Sequence, residues 1–128
     1  MMNLFPSNLY DNYIPSDRSL KSDIVELDDE KSLKFIFSLE AKSFIFNGHD
    51  SIGFIAQDVE VINKHCVIES VPRERLKIDK SFLSLSYVDI FVHTTNATKY
   101  LSKQVNAMIE LVERLEQKVR ILEEATTK

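Results

Sequence analysis

Ser16 and Lys21 stand five residues apart in the run Ser-Asp-Arg-Ser-Leu-Lys, and they form the one catalytic pair that the composition leaves open. A lysine that has lost its proton can take the proton of a neighbouring serine hydroxyl, and the oxygen then attacks a carbonyl carbon. Spacing alone does not make such a pair, because with 13 Ser and 11 Lys in the chain a separation of five is expected by chance. On an α-helix five residues turn the side chain roughly 140° away. On a strand the two point to opposite faces, about 17 Å apart. A Ser–Lys hydrogen bond therefore requires a turn between them, held by packing within the chain or between chains. Without that turn the two are a solvated surface pair.

Other constellations carry less. Cys66 beside His65 suggests a thiol–imidazole pair, but neighbours on a strand point opposite ways, and a half-buried structural cysteine is the plainer reading. Asp28, Asp29 and Glu30 suit the start of a helix better than a cation site. Arg73, Arg75, Lys77 and Lys80, interrupted by Glu74 and Asp79, read as a solvated connection. The two glycines, Gly48 and Gly53, cannot build a phosphate-cradling loop, and one cysteine forms no internal disulfide. His49, His65 and His93 lack the spacing that puts two imidazoles on one helix face. Neither a metal nor a cofactor is expected. A net charge of −4 argues against binding nucleic acid or an anionic membrane, and no apolar run approaches the ~20 residues of a membrane span.

The elements that must position Ser16 and Lys21 follow from the patterning. Leu, Ile, Val and Phe total 43 of 128 residues, enough to argue against disorder. Residues 1–15 hold two of the three prolines and neither Lys nor Arg, and they read as an extended leader. Lys21–Leu27 is a weak strand, and Asp28 caps a short helix over about 29–40. Phe44 and Phe46 alternate with Ser43 and Ile45, and Asn47-Gly48 follows, so residues 42–55 read as a hairpin with a slightly long loop. A short helix over 56–64 carries Val59 and Ile62 inward. Strands are expected at Cys66–Val71 and Phe82–Tyr87, the second with Leu83, Leu85 and Tyr87 buried. From Val88 to Glu124 there is neither Gly nor Pro. Val105, Val112 and Val119 occupy one heptad core position, and Leu101, Met108, Leu115 and Leu122 the other. Lys118 and Glu123 can pair between parallel helices, while Ile109 and Leu111 widen the stripe. The pattern predicts a small α+β domain over 16–87, an oligomerising helix over 88–124 and a tail over 125–128. Val and Leu in those positions lean intrinsically toward two strands.

Three blocks, taken together, resemble the intramolecular chaperone domain at the C-terminus of phage tailspikes and tail fibres, the peptidase S74 family. A related domain occurs in the myelin regulatory factor group. The first block is Ser16-Asp17-Arg18-Ser19-Leu20-Lys21-Ser22-Asp23-Ile24, similar to the family's Ser-Asp-x-x-x-Lys-x-x-Ile. The second is Ile52-Gly53-Phe54-Ile55-Ala56-Gln57-Asp58-Val59-Glu60, similar to its Gly-x-Ile-Ala-Gln-Glu-Val. The third is Leu85-Ser86-Tyr87 with the long helix behind it. Lys64 stands where the family often has a proline, and Ser86 where it has an aspartate.

The resemblance implies a homotrimer that assists the folding of an upstream passenger in cis and then cuts itself off at Pro15–Ser16. Ser16 would be the nucleophile and Lys21 its base, with Asp17, Gly53, Ala56, Gln57 and Tyr87 as structural motif residues. It implies a virion or infected-cell setting, with no nucleic acid or membrane as partner. It also sets three helices above the intrinsic lean toward two, because the globular part can dictate their number. A free lysine, with a pKa of about 10.4, is protonated at neutral pH, so the chemistry needs burial or a cationic neighbour to release that proton. In this reading Ser19 and Ser22 are bystanders, sharing the segment and the hydroxyl but not the motif position. A non-enzymatic homotrimerisation module of the same fold is the alternative.

Overall fold

The computed structural model describes residues 13–74 and 77–127. Most of the expected leader, Arg75 of the basic connection and Lys128 of the tail lie outside the described residues. An exposed segment of mostly extended backbone, with one 3-10 turn at Arg18–Leu20, leads into helix α1 (Asp29–Ser38). Strands β1 (Lys42–Phe46) and β2 (His49–Gly53) follow, then helix α2 (Ala56–Ile62) and a 3-10 turn at Lys64–Cys66. Strands β3 (Val67–Ser70) and β4 (Phe82–Leu85) precede the long helix α3 (Tyr87–Thr126). The result is a small α+β domain with two separate two-stranded antiparallel sheets, β1–β2 and β3–β4.

Local chemistry explains most boundaries. The Asp28 carboxylate accepts the Lys31 amide at 3.0 Å, and Asp29 and Glu30 place negative charge in the first turn of α1. Asn47 and Gly48 both adopt positive φ, 50° and 78°, which makes the hairpin loop a two-residue turn and tighter than expected. Ser86 ends β4 by capping α3, its hydroxyl accepting the Asp89 amide at 3.2 Å. A short polar cap thus serves where an aspartate was the expected residue.

Further expectations change. Lys21–Leu27 forms no strand among the described residues: it lies exposed along the surface, because neither small sheet of its own chain extends to it. Ile62 does not turn inward, since α2 ends there and leaves it beside an open groove with Leu39 and Phe54. Tyr87 belongs to the first turn of α3 and is half exposed, while all four residues of β4 are half-buried. Helix α3 also begins one residue earlier and ends two residues later than the heptad pattern suggests.

The core sits where α1 and α2 meet the first turns of α3. Phe35, Val59, Cys66 and Ile90 are buried together, with Ile36, Leu39, Phe54, Val67 and Leu85 packed around them. Between α1 and α3 the contact turns polar. Ser32 is fully buried, its hydroxyl 2.9 Å from His93 Nδ1, and it accepts a hydrogen bond from Asn96 Nδ2 at 3.0 Å. Lys103 reaches back to Asp29 at 3.2 Å. Beyond this contact α3 continues alone, and every described residue from Leu101 onward is exposed. That free portion is about 39 Å long at 1.5 Å per residue.

Gly53 ends β2 in a crowded place. A Cβ there would lie 2.7 Å from Tyr87 Oη and 3.3 Å from Phe44 Cζ. The same Tyr87 hydroxyl accepts the Phe54 amide at 3.3 Å, so displacing it also breaks the link between β2 and α3. We expect Gly53→Val to destabilise the folded protein by about 1–3 kcal/mol through overpacking. Denaturant unfolding of Gly53→Ala, Tyr87→Phe and the double variant should give a combined cost smaller than the sum of the two. Strict additivity would show that the two residues do not touch.

Candidate functional site

The sequence places an acceptor side chain, Asp17, immediately before the residues that must turn. Its carboxylate accepts the Ser19 amide at 2.8 Å and the Ser19 hydroxyl at 2.5 Å, capping the 3-10 turn over Arg18–Leu20. Those two bonds, the hydroxyl first, hold the Asp17 carboxyl below its ordinary value. The backbone closes the turn with the Leu20 amide on the Asp17 carbonyl and the Lys21 amide on the Arg18 carbonyl, both at 3.1 Å. The 3-10 turn shortens the path between the residues on either side of it. Lys21 Nζ donates to Ser16 Oγ at 2.7 Å.

The turn that the spacing required is therefore present, and within the single chain no packing from other described elements supports it. It is held by its own hydrogen bonds, since every residue from Tyr13 to Asp28 is exposed in the single chain. Ser19 is part of the turn and no bystander, whereas among the described residues no comparable side-chain bond ties Ser22. Asp23 then takes a left-handed φ of 52°, a conformation that aspartate tolerates, and sends the chain on as the extended strap 24–27. The strap is anchored where Asn96 Nδ2 donates to the Leu27 carbonyl at 3.1 Å. Asn96 thus ties Ser32 of α1 and the end of the strap to one point on α3.

The arrangement is a serine hydroxyl in hydrogen-bond contact with a lysine amine on an exposed turn, with the Pro15–Ser16 peptide adjoining the hydroxyl. Both side chains are open to solvent in the single chain. Other sequence candidates lie elsewhere. Gly53 and Tyr87 are brought together, while Ala56 and Gln57 begin α2 beside them and border an apolar groove with Phe44, Phe54 and Leu85. Leu101, Val105, Met108, Val112, Leu115, Val119 and Leu122 lie along the free part of α3, between 39% and 65% exposed. Cys66 is buried in the core and burial pushes its thiol up, with the charge of Asp89 adding to the effect, so it is an inert packing residue. Asp28 caps α1, Asp29 meets Lys103, and Glu30 pairs with Lys34 at 3.7 Å, which accounts for all three carboxylates.

Two contributors escaped the sequence. Ser19, two residues after Asp17, carried a readable signal, since an aspartate side chain commonly bonds the backbone two residues on. Asn96 carried none, because its partners lie 69 and 64 residues away and helical periodicity says nothing about such pairs.

No curated protein matches the chain. Residues 16–68 match the family Peptidase_S74, described as chaperone of endosialidase. The match begins on the serine of the Ser16–Lys21 contact and runs through the hairpin and α2 into β3. Over those residues the chain is similar to the Peptidase_S74 family, the chaperone of endosialidase, which supports the resemblance seen in its sequence blocks.

Proposed function

We propose that this domain is a homotrimeric intramolecular chaperone that helps an upstream viral fibre or spike passenger to fold, and then releases it by cutting its own Pro15–Ser16 bond. The single observation that carries the chemistry is the 2.7 Å contact between Lys21 Nζ and Ser16 Oγ. With Lys21 in its neutral form, Nζ takes the proton of Ser16 Oγ as the oxygen attacks the Pro15 carbonyl carbon. Lys21 returns that proton to the Ser16 nitrogen, the C–N bond breaks, and an ester joins Pro15 to Oγ. Water then attacks the ester, leaving a carboxylate on Pro15 and a free amine and hydroxyl on Ser16. One water is consumed and no cofactor takes part.

Assembly supplies what a single chain lacks. The free part of α3 exposes a stripe of seven heptad core residues, an apolar surface that a folded chain covers by association. Enclosing the exposed turn between chains would disfavour the charged lysine, because burial destabilises an ammonium ion. Cleavage then reports that three chains have met correctly. The solvent exposure of both side chains is the observation that favours the second reading, a trimerisation module of the same fold that never cuts. In either case the partners are two further copies and the passenger in cis, in the virion or the infected cell.

Sedimentation equilibrium of the purified protein should give a trimer at micromolar concentration, and Leu115→Asp should shift it toward monomer. A wild-type monomer would remove the basis for assembly. In the passenger-bearing protein, Ser16→Ala and Lys21→Ala should abolish release with the trimer intact, read by intact mass. Lys21→Arg should fail as well, because a guanidinium keeps its proton at any accessible pH. Ser22→Ala should cleave as wild type. Cleavage by Lys21→Arg at the wild-type rate would refute lysine as the base.

A further inference from the structure

We propose that Ser19 is a positioning residue for the Ser16–Lys21 pair: its hydroxyl occupies the Asp17 carboxylate, holding the turn in shape and keeping that carboxylate from capturing the lysine. This rests on the self-cleavage reading above, and Ser19 lies at an unspecified position of the Ser-Asp-x-x-x-Lys motif, so the device belongs to this chain. The argument begins with how little holds the turn. Two backbone hydrogen bonds of 3.1 Å and the two bonds from Ser19 to Asp17 are its restraints among the described residues. No other element packs on it in the single chain, where residues 13–28 are exposed. A 3-10 turn of three residues is a minimal structure, and its shape decides whether Nζ reaches Oγ.

The charges in the segment are Asp17, Arg18, Lys21 and Asp23. Of the two acids, Asp17 is next to the nucleophile, and both Ser19 bonds converge on its Oδ1. Released from Ser19, that carboxylate is a competing partner for the Lys21 ammonium. An Asp–Lys pair would stabilise the protonated lysine and draw it from Ser16. Ser19→Ala keeps the amide bond to Asp17 and removes only the hydroxyl bond, so it tests this contribution in isolation. Ser19→Thr retains the hydroxyl and should restore it.

The test is single-turnover self-cleavage of the passenger-bearing protein, followed by intact mass from pH 6 to 10, for wild type, Ser19→Ala, Ser19→Thr and Ser22→Ala, with oligomeric state checked by sedimentation. Ser19→Ala should cleave about tenfold more slowly at neutral pH, the loss expected for one charge-assisted hydrogen bond. Its rate–pH curve should move to higher pH, with the assembly unchanged and Ser19→Thr close to wild type. A Ser19→Ala protein that matches wild type overturns the proposal, and so does a slower one with an unmoved pH profile. If wild type does not cleave, the self-cleavage reading fails, and carboxyl-carbon NMR of Asp17 decides the clamp by itself. A lowered titration that rises in Ser19→Ala supports the clamp. The same titration in both proteins overturns it.

Discussion

Phe35 meets the edge of His93 with ring centres 4.8 Å apart, and behind it Ile90, Val59 and Cys66 close a buried cluster. This joint between α1 and α3 fixes the rest. It sets where α3 leaves the domain, and through Asn96 it fixes Leu27, the end of the strap that carries the turn. The buried Ser32 makes the joint specific, since its hydroxyl satisfies His93 and Asn96 at once and the described residues leave no buried side-chain polar atom without a partner. The joint is also small. Five apolar residues are buried among those described, too few for a domain of this length to stand alone comfortably.

That shortage connects the fold to the proposed chemistry. Stretches that would cost most to leave in water, the α3 stripe and the strap with Ile24 and Val25, are those left without a partner in one chain. The turn just ahead of that strap carries the serine and the lysine, built locally and ready in geometry but open to solvent. A site whose geometry is intrinsic to one chain, and whose electrostatics wait on enclosure by others, has a direct physical route from assembly to activity. Such a site separates two requirements that a folding checkpoint needs to separate: the machinery exists from the start, and it runs only when the apolar surfaces are covered.

Features set by near neighbours were legible in the sequence. Asn47-Gly48 announced its turn because few residue pairs accept two positive φ values, and Asp28 announced the start of α1. Gly53 and Tyr87 were legible only as separate motif residues, and the approach of the tyrosine hydroxyl to the glycine became visible only in three dimensions. Strand character in Lys21–Leu27 was misleading, since apolar β-formers specify a strand only where an edge is within reach, and no edge of its own chain is. Tyr87 was assigned to a strand face because alternation persists to that point, while the Ser86 cap switches the chain to helix one residue earlier. For the candidate site, spacing demanded a turn without saying what would hold it. The answer lay in two hydroxyl-bearing and acidic side chains, Ser19 and Asp17, that a motif search counts as filler and signature.

The central claim is that a pair built within one chain acts only once chains assemble. Its most direct measurement is intact mass on wild-type protein, passenger attached, separated by size into trimer and monomer immediately after synthesis. The account predicts that the trimer fraction consists of chains beginning at Ser16 together with released passenger ending at Pro15, and that the monomer fraction is uncut. Uncut chains persisting in a correctly formed trimer, or cut chains accumulating as monomer, would contradict it.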